Sequence, residues 1–302
     1  MAQERLTKDQ KRDYAREMAR LEREKRLKSQ ARNRILVRVG ATVAVLAVLA
    51  GVAGGIWLAT RPAGPGPANM ASDGILLTGS DGAISAVATP AIASGEEPVP
   101  TDPDAYDVPL KIVTYIDYGC PYCGLFETTN GATIRSLVES GEATLEVHPI
   151  AILDRAFLEP YPTRAANAAA CVAAFAPDQF LDVNDAFFAN QPAEQSAGLT
   201  ISEIQDLVAG AGVDSADVRA CISDLRFQDW TKLATDRATD GPLPNTEVEN
   251  VSGTPTVLVN GIKYQPNDLG SADEFTSFLQ QILLASLEED GATPTPTPTP
   301  TP

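Results

Sequence analysis

The sequence predicts an α/β protein with an inserted helical domain, preceded by a single transmembrane helix. Three observations carry that prediction. A β-branched strand at 110–116 runs directly into a Cys-x-x-Cys helix start; a second strand and an Asn-Gly hairpin are separated by a long helical stretch; and residues 39–60 form an apolar run of 22 residues without a charge.

The apolar run comes first in the chain. Residues 1–34 carry twelve Lys/Arg and six Asp/Glu and then give way to the apolar run. About twenty apolar residues in a helix cross a bilayer, and Arg38 and Arg61 bracket the run, with Trp57 near its far end. A cleaved signal peptide is the rival reading. The charged arm is too long for an n-region and the apolar part too long for an h-region, so 35–60 is expected to be a transmembrane helix. Nine Lys/Arg and thirty-four Asp/Glu follow Arg61, a formal balance of −25. Positive residues stay inside, which makes 1–34 a cytoplasmic, charged helical arm and the remainder extracytoplasmic. So acidic a region would repel phosphates, which excludes nucleic acid as a partner. The arm itself offers i,i+4 pairs such as Glu24–Lys28 and no chemistry.

Residues 61–105 are rich in Pro, Gly and Ala and read as a linker, with Ile75-Leu76-Leu77 as a short edge strand within it. The core is expected at 106–154 and 245–288. Leu110–Ile116 suits a buried strand. Pro121 fits a helix's first turn, where its missing N–H costs nothing. A second strand is expected at Ala143–Ile150. Helical habit then fills 155–244, where Thr200 and Glu203 form a capping box and Ser215 caps the helix that holds Cys221. Thr256–Val259 returns to strand and turns on Asn260-Gly261, the strongest short hairpin signal. Ser271 and Glu274 open a last helix running to about Leu287, and 289–302 is a Thr-Pro tail with nothing to bury.

The four cysteines, 120, 123, 171 and 221, define the chemistry. A zinc site built on Cys120-Pro121-Tyr122-Cys123 needs a second Cys or His pair at comparable spacing. Cys171 and Cys221 are fifty residues apart and His148 is the only histidine. Copper held by the dithiol and His148 is the better rival, although none of the three methionines is near the motif. A structural bridge closing so short a loop removes little denatured-state entropy. The same spacing suits redox work. Amide N–H groups and the helix dipole at the start of the helix favour a thiolate at Cys120, and Cys123, one turn on, is close enough to close the ring. Cys171 and Cys221 then pair most simply with each other as a structural disulfide, worth roughly 4 kcal/mol on loop length alone. A second shuttle pair, relaying electrons to the first, is the alternative.

Strand, Asp117, Cys-Pro-x-Cys at a helix start, a helical insertion, and Gly253-Thr254-Pro255-Thr256 opening a hairpin resemble the DsbA-like thiol–disulfide oxidoreductases of the thioredoxin superfamily. The similarity is to membrane-anchored forms with a second cysteine pair in the helical domain, and it covers about residues 106–288. It implies a thioredoxin-like fold, with Cys120 as the nucleophile and Cys123 as the resolving cysteine. Pro255 would match the family's cis-proline, and Thr254 would offer backbone groups to a substrate strand. Asp117 reads either as a modulator of the thiols or as an exposed turn carboxylate, and His148 as structural. The Pro121-Tyr122 dipeptide lacks the histidine of some stronger oxidants.

The expectation is therefore a single-pass cell-membrane enzyme that introduces disulfides into exported proteins bearing free or mispaired cysteines. It would require no bound cofactor or metal, and would work with a membrane reoxidase. A reductase or isomerase fed by an electron donor across the membrane is the alternative direction. A thioredoxin-like module that binds copper or a partner, or a holdase, is the alternative of another class.

Overall fold

The computed structural model describes residues 16–30, 33, 40, 44–49, 51–52, 64–80 and 82–291, with side chains up to 286. The chain divides into two units, 1–62 and 63–302. In the first, 16–30 is an exposed helix carrying the Glu24–Lys28 ion pair at 2.8 Å. Of the expected Thr-Pro tail, residues 289–291 belong to the last helix, Ala272–Gly291, and 292–302 lie outside the described residues.

The membrane expectation is corrected. Among the described residues no helix is long and apolar enough to cross a membrane. Of the expected span 35–60, residues 44–49 and 51–52 are described and are helical. Its other positions, apart from Gly40, lie outside the described residues. The single-pass topology, the assignment of sides, the membrane as partner and the membrane-anchored form of the resemblance all rested on that span, and they fall with it.

The second unit is a six-stranded sheet with helices. Its strands are β1 (Ile75–Ser80), β2 (Ala83–Ala86), β3 (Leu110–Ile116), β4 (Ala143–Pro149), β5 (Thr256–Val259) and β6 (Ile262–Lys263), ordered β2-β1-β4-β3-β5-β6. Only β3 and β4 pair in parallel, Ile112 facing Leu145. A parallel pair needs a crossover, supplied by α1 (Pro121–Glu139). Gly141, at φ +76°, stops that helix and turns the chain into β4. Along β3 the side chains alternate as a pleat requires. Leu110, Ile112 and Ile116 enter the main core, whereas Tyr115 joins a smaller cluster with Ile150, Leu243 and Leu258.

Between β4 and β5 come α2 (Tyr161–Phe175), α3 (Phe180–Ala189), α4 (Ile201–Gly210), α5 (Ala216–Ser223) and α6 (Gln228–Asp240); α7 (Ala272–Gly291) ends the unit. The capping box forms reciprocally. Thr200 N–H donates to Glu203 at 2.8 Å and Glu203 N–H to Thr200 Oγ1 at 3.3 Å. Ser215 caps α5 through Val218 N–H. At the hairpin Asn260 and Gly261 have φ of +49° and +79°, the geometry that favours this dipeptide. Asn260 also accepts Lys111 N–H at 2.8 Å, pinning the turn to β3. α2 is buried on nearly every side because six of its buried residues are alanines, at 165, 166, 168–170 and 173. Small side chains let α2 sit within a core that runs from the sheet into the insertion without a break.

The stretch read as a linker does more than connect. β1 is not at the edge, since β2 flanks it on one side and β4 on the other. Asp73, buried, accepts two hydrogen bonds from Arg237 at 2.6 and 2.7 Å and one from Trp230 Nε1 at 3.0 Å. Three donors, two of them from a bidentate guanidinium, satisfy a carboxylate that would be costly to bury alone.

Cys171 in α2 and Cys221 in α5 are disulfide-bonded, with Sγ–Sγ 2.01 Å, and both are fully buried. No partner thiol reaches sulfurs so placed without opening the insertion. Replacing both with alanine is expected to lower the urea unfolding free energy by about 2–4 kcal/mol and to leave the alkylation rate of Cys120 unchanged. An altered Cys120 rate in the folded variant would mean that the two pairs communicate.

Candidate active site

β3 ends at Ile116, and the next seven residues build the site. Asp117 is fully buried, so it is not an exposed turn carboxylate. Its oxygens accept Gly119 N–H at 2.8 Å and Leu153 N–H at 2.9 Å, which folds 117–120 into a tight turn. Burial raises the Asp117 pKa to about 7, against the lowering effect of those two hydrogen bonds. Gly119 is needed here because a Cβ would lie 2.6 Å from the Phe157 ring. Tyr118, also fully buried, packs on Phe187 and Phe188 and donates its hydroxyl to Asn184 at 3.0 Å. All three partners belong to α3, so the insertion grips the approach to the dithiol.

Cys120 is the N-cap of α1, with Pro121 at the first helical position. Its thiol donates to the Thr254 carbonyl at 3.2 Å, which brings residues 134 apart in sequence into contact. The Thr254–Pro255 peptide bond is cis. Both cysteines are free thiols. Cys120 keeps 4% of its surface exposed and Cys123 none. That difference, together with the helix start, separates their chemistry.

The Cys120 pKa is lowered to about 6, first by the hydrogen bond from the Cys123 thiol. Burial opposes this, while the Thr254 side chain and the N–H groups of Cys123 and Tyr122 reinforce it. Burial drives Cys123 well above the ordinary thiol range, and its hydrogen bond to Cys120 adds to the rise. Cys123 Sγ also accepts Asp117 N–H at 3.5 Å. The Thr254 hydroxyl is buried and has no partner at hydrogen-bond geometry among the described residues, which leaves it free to turn toward the anion. One sulfur is thus a thiolate near neutral pH and its neighbour is held protonated.

The other candidates lie elsewhere. His148 sits on β4, where it stacks on Tyr115 at 4.4 Å and contacts Glu146 at 3.3 Å. Glu146 is held in turn by Ser72 and by Thr101 Oγ1. These contacts bind His148 into the fold. Among the described residues no group of three His, Cys, Asp or Glu side chains is placed to hold a metal. Sequence reasoning passed over Gln191, whose amide reaches the carbonyls of Tyr118 and Cys120. No local pattern marks that residue.

Fold and dithiol together define a class: a thioredoxin-like domain with helical additions, of the DsbA-like kind. A family model described as thioredoxin matches residues 102–281, and the chain belongs to that family. It is similar to the reduced DsbA of Mycobacterium tuberculosis, at 27% identity and TM-score 0.52, over 70% of this chain and 92% of that one. It is also similar to the reduced disulfide bond oxidoreductase DsbG of the same organism, at 25% identity and TM-score 0.51, over 73% of this chain and 95% of that one. BdbD from Bacillus subtilis, at 17% identity and TM-score 0.50 over 74% and 100% of the two chains, shares the fold. A Na(+)/H(+) antiporter, NhaA 3 of Salinispora tropica, is 29% identical over 232 residues, which is 74% of this chain and 30% of that protein. The chain thus spans less than a third of that relative's length.

Two predictions follow from the electrostatics. Alkylation of reduced protein against pH is expected to give a Cys120 midpoint of about 6, and Thr254→Val to raise it by about 0.5–1 unit; an unmoved midpoint would remove the hydroxyl from the account. The second concerns stability. Cys120 titrates at about 6 when folded and at about 8.5 when unfolded, so the unfolded chain binds more protons between those values. Stability of the reduced protein on this account rises as pH climbs from about 6 to about 8.5, and is lost as pH falls through 6. Asp117 has the opposite sign: folded at about 7 and unfolded at about 3.9, it makes stability fall as pH climbs between them. Urea unfolding across pH should show the upper rise in reduced wild type but not in Cys120→Ala, and the lower decline should vanish in Asp117→Asn.

Proposed function

We propose that the protein is a thiol–disulfide oxidoreductase that oxidises cysteine pairs in protein substrates through Cys120 and Cys123. The observation that carries this reading is the asymmetry of the dithiol, a stabilised thiolate at the helix start with a buried, protonated thiol behind it. Stabilising the reduced form makes the corresponding disulfide a stronger oxidant.

The steps balance as follows. A substrate thiolate attacks Cys120 Sγ of the Cys120–Cys123 disulfide. The substrate–Cys120 bond forms, the Cys120–Cys123 bond breaks, and Cys123 leaves as a thiolate that takes up a proton. The substrate's second thiol, deprotonated, attacks the substrate sulfur of the mixed disulfide and expels Cys120 as its favoured thiolate. The substrate has lost two electrons and gained a disulfide; the protein holds the dithiol seen here. Thr254, whose carbonyl lies at Cys120, is the backbone that meets an incoming substrate strand, and cis-Pro255 follows it. Turnover requires an external oxidant to regenerate the disulfide.

Equilibration in glutathione buffers is expected to place the potential of the pair nearer to about −120 mV than to about −270 mV, the strongly oxidising and reducing ends of such dithiols. Cys123→Ala, with Cys120 first loaded as a mixed disulfide from oxidised glutathione, should release glutathione on attack by thiol-bearing proteins and accumulate as Cys120 mixed disulfides with them. A potential near the lower figure would reverse the direction, and no trapped species from a reactive Cys120 would remove the enzymatic reading.

A further inference from the structure

Gln191 lies just past Asn190, the C-cap of α3, in the helical insertion, and its side chain crosses to the redox loop. Its amide nitrogen donates to the Tyr118 carbonyl and to the Cys120 carbonyl, each at 2.9 Å. The Cys120 carbonyl also accepts Gly124 N–H at 3.1 Å, the first hydrogen bond of α1. One amide group therefore uses both of its hydrogens on the two carbonyls that flank Gly119. On the other side Gly124 leaves room for it, since a Cβ there would lie 2.6 Å from Gln191 Oε1. The residue after Cys123 is a glycine in a helix interior, where intrinsic propensity disfavours it, and the Gln191 amide supplies a reason for it.

We propose that Gln191 is a positioning residue for the dithiol, through which the insertion sets the reactivity of Cys120. The inference rests on the oxidoreductase reading above. Its physical basis is alignment. The N–H groups of Tyr122 and Cys123 favour the Cys120 anion only while the first turn of α1 points them at the sulfur. Clamping the carbonyls at 118 and 120 fixes that turn, and it neutralises two carbonyl dipoles beside a negative sulfur. The substrate is not touched by Gln191; the residue acts through Cys120.

The test uses the full chain and three variants. Gln191→Leu removes the donors, Gln191→Glu keeps the shape but replaces the donors with a carboxylate facing two carbonyls, and Gly124→Ala displaces the amide while leaving Gln191 intact. The other titratable groups near the dithiol, Cys123, Asp117 and Asp154, are unchanged in all three. Thiolate absorbance of reduced protein against pH is read beside urea unfolding of the same samples. Each variant is expected to raise the Cys120 midpoint, by about one unit, a tenfold loss of thiolate at a pH below both midpoints, with the glutamate largest. Gly124→Ala separates positioning from stability, because alanine favours the helix while the midpoint still rises. Midpoints equal to wild type in folded variants overturn the proposal, and so does a rise confined to variants that lose stability. A wild-type Cys120 that titrates as an ordinary thiol overturns the oxidoreductase reading itself, which separates the two failures.

Discussion

One sulfur atom, Cys120 Sγ, lies where the start of α1 meets the turn before β5, and the arrangement around it governs the rest of the site. A helix start presents amide hydrogens with no intrahelical acceptor. Here they face a sulfur rather than water or a capping oxygen. The cysteine next along the helix is buried and stays protonated, so it donates to its neighbour instead of competing with it. A thiolate is both the attacking form and the better leaving group, so this one electrostatic bias serves both halves of a disulfide exchange.

Such a bias requires a rigid surround, and the fold supplies it from three directions. Asp117 ties the turn from within by holding two backbone N–H groups. Thr254 and Pro255 approach from the far end of the chain. The insertion packs α3 on Tyr118 and extends Gln191 over the loop. The helical insertion is therefore part of the redox site's frame. Its own disulfide, buried between α2 and α5, cross-links that frame.

The far face of the sheet works differently. Its buried charges are paired where they lie: Asp73 with Arg237 and Trp230, Glu146 with Ser72, Thr101 and His148. These contacts tie the segment before β3 to the sheet and to α6, and this is how a stretch rich in Pro, Gly and Ala comes to add two strands. Buried carboxylates with full sets of donors fix one register and one docking geometry for such a segment.

Much of the site was legible in local sequence. Leu110–Ile116 read as a strand because β-branched residues fit a pleat, Pro121 as a helix start because it lacks an N–H, and Asn260-Gly261 as a tight turn because both residues tolerate positive φ. Each of those signals is a property of a few adjacent residues. The apolar run at 39–60 shows the limit of the approach: composition alone suggested a crossing helix, and no described helix is both long and apolar enough to cross a membrane. Burial of Asp117, the place of β1 inside the sheet, His148 on Tyr115, and the reach of Gln191 to Cys120 depend on partners tens of residues away. Tertiary packing decided those, because a hydrogen bond or a desolvated carboxylate is defined by what surrounds it in space, and neighbours in sequence do not specify that.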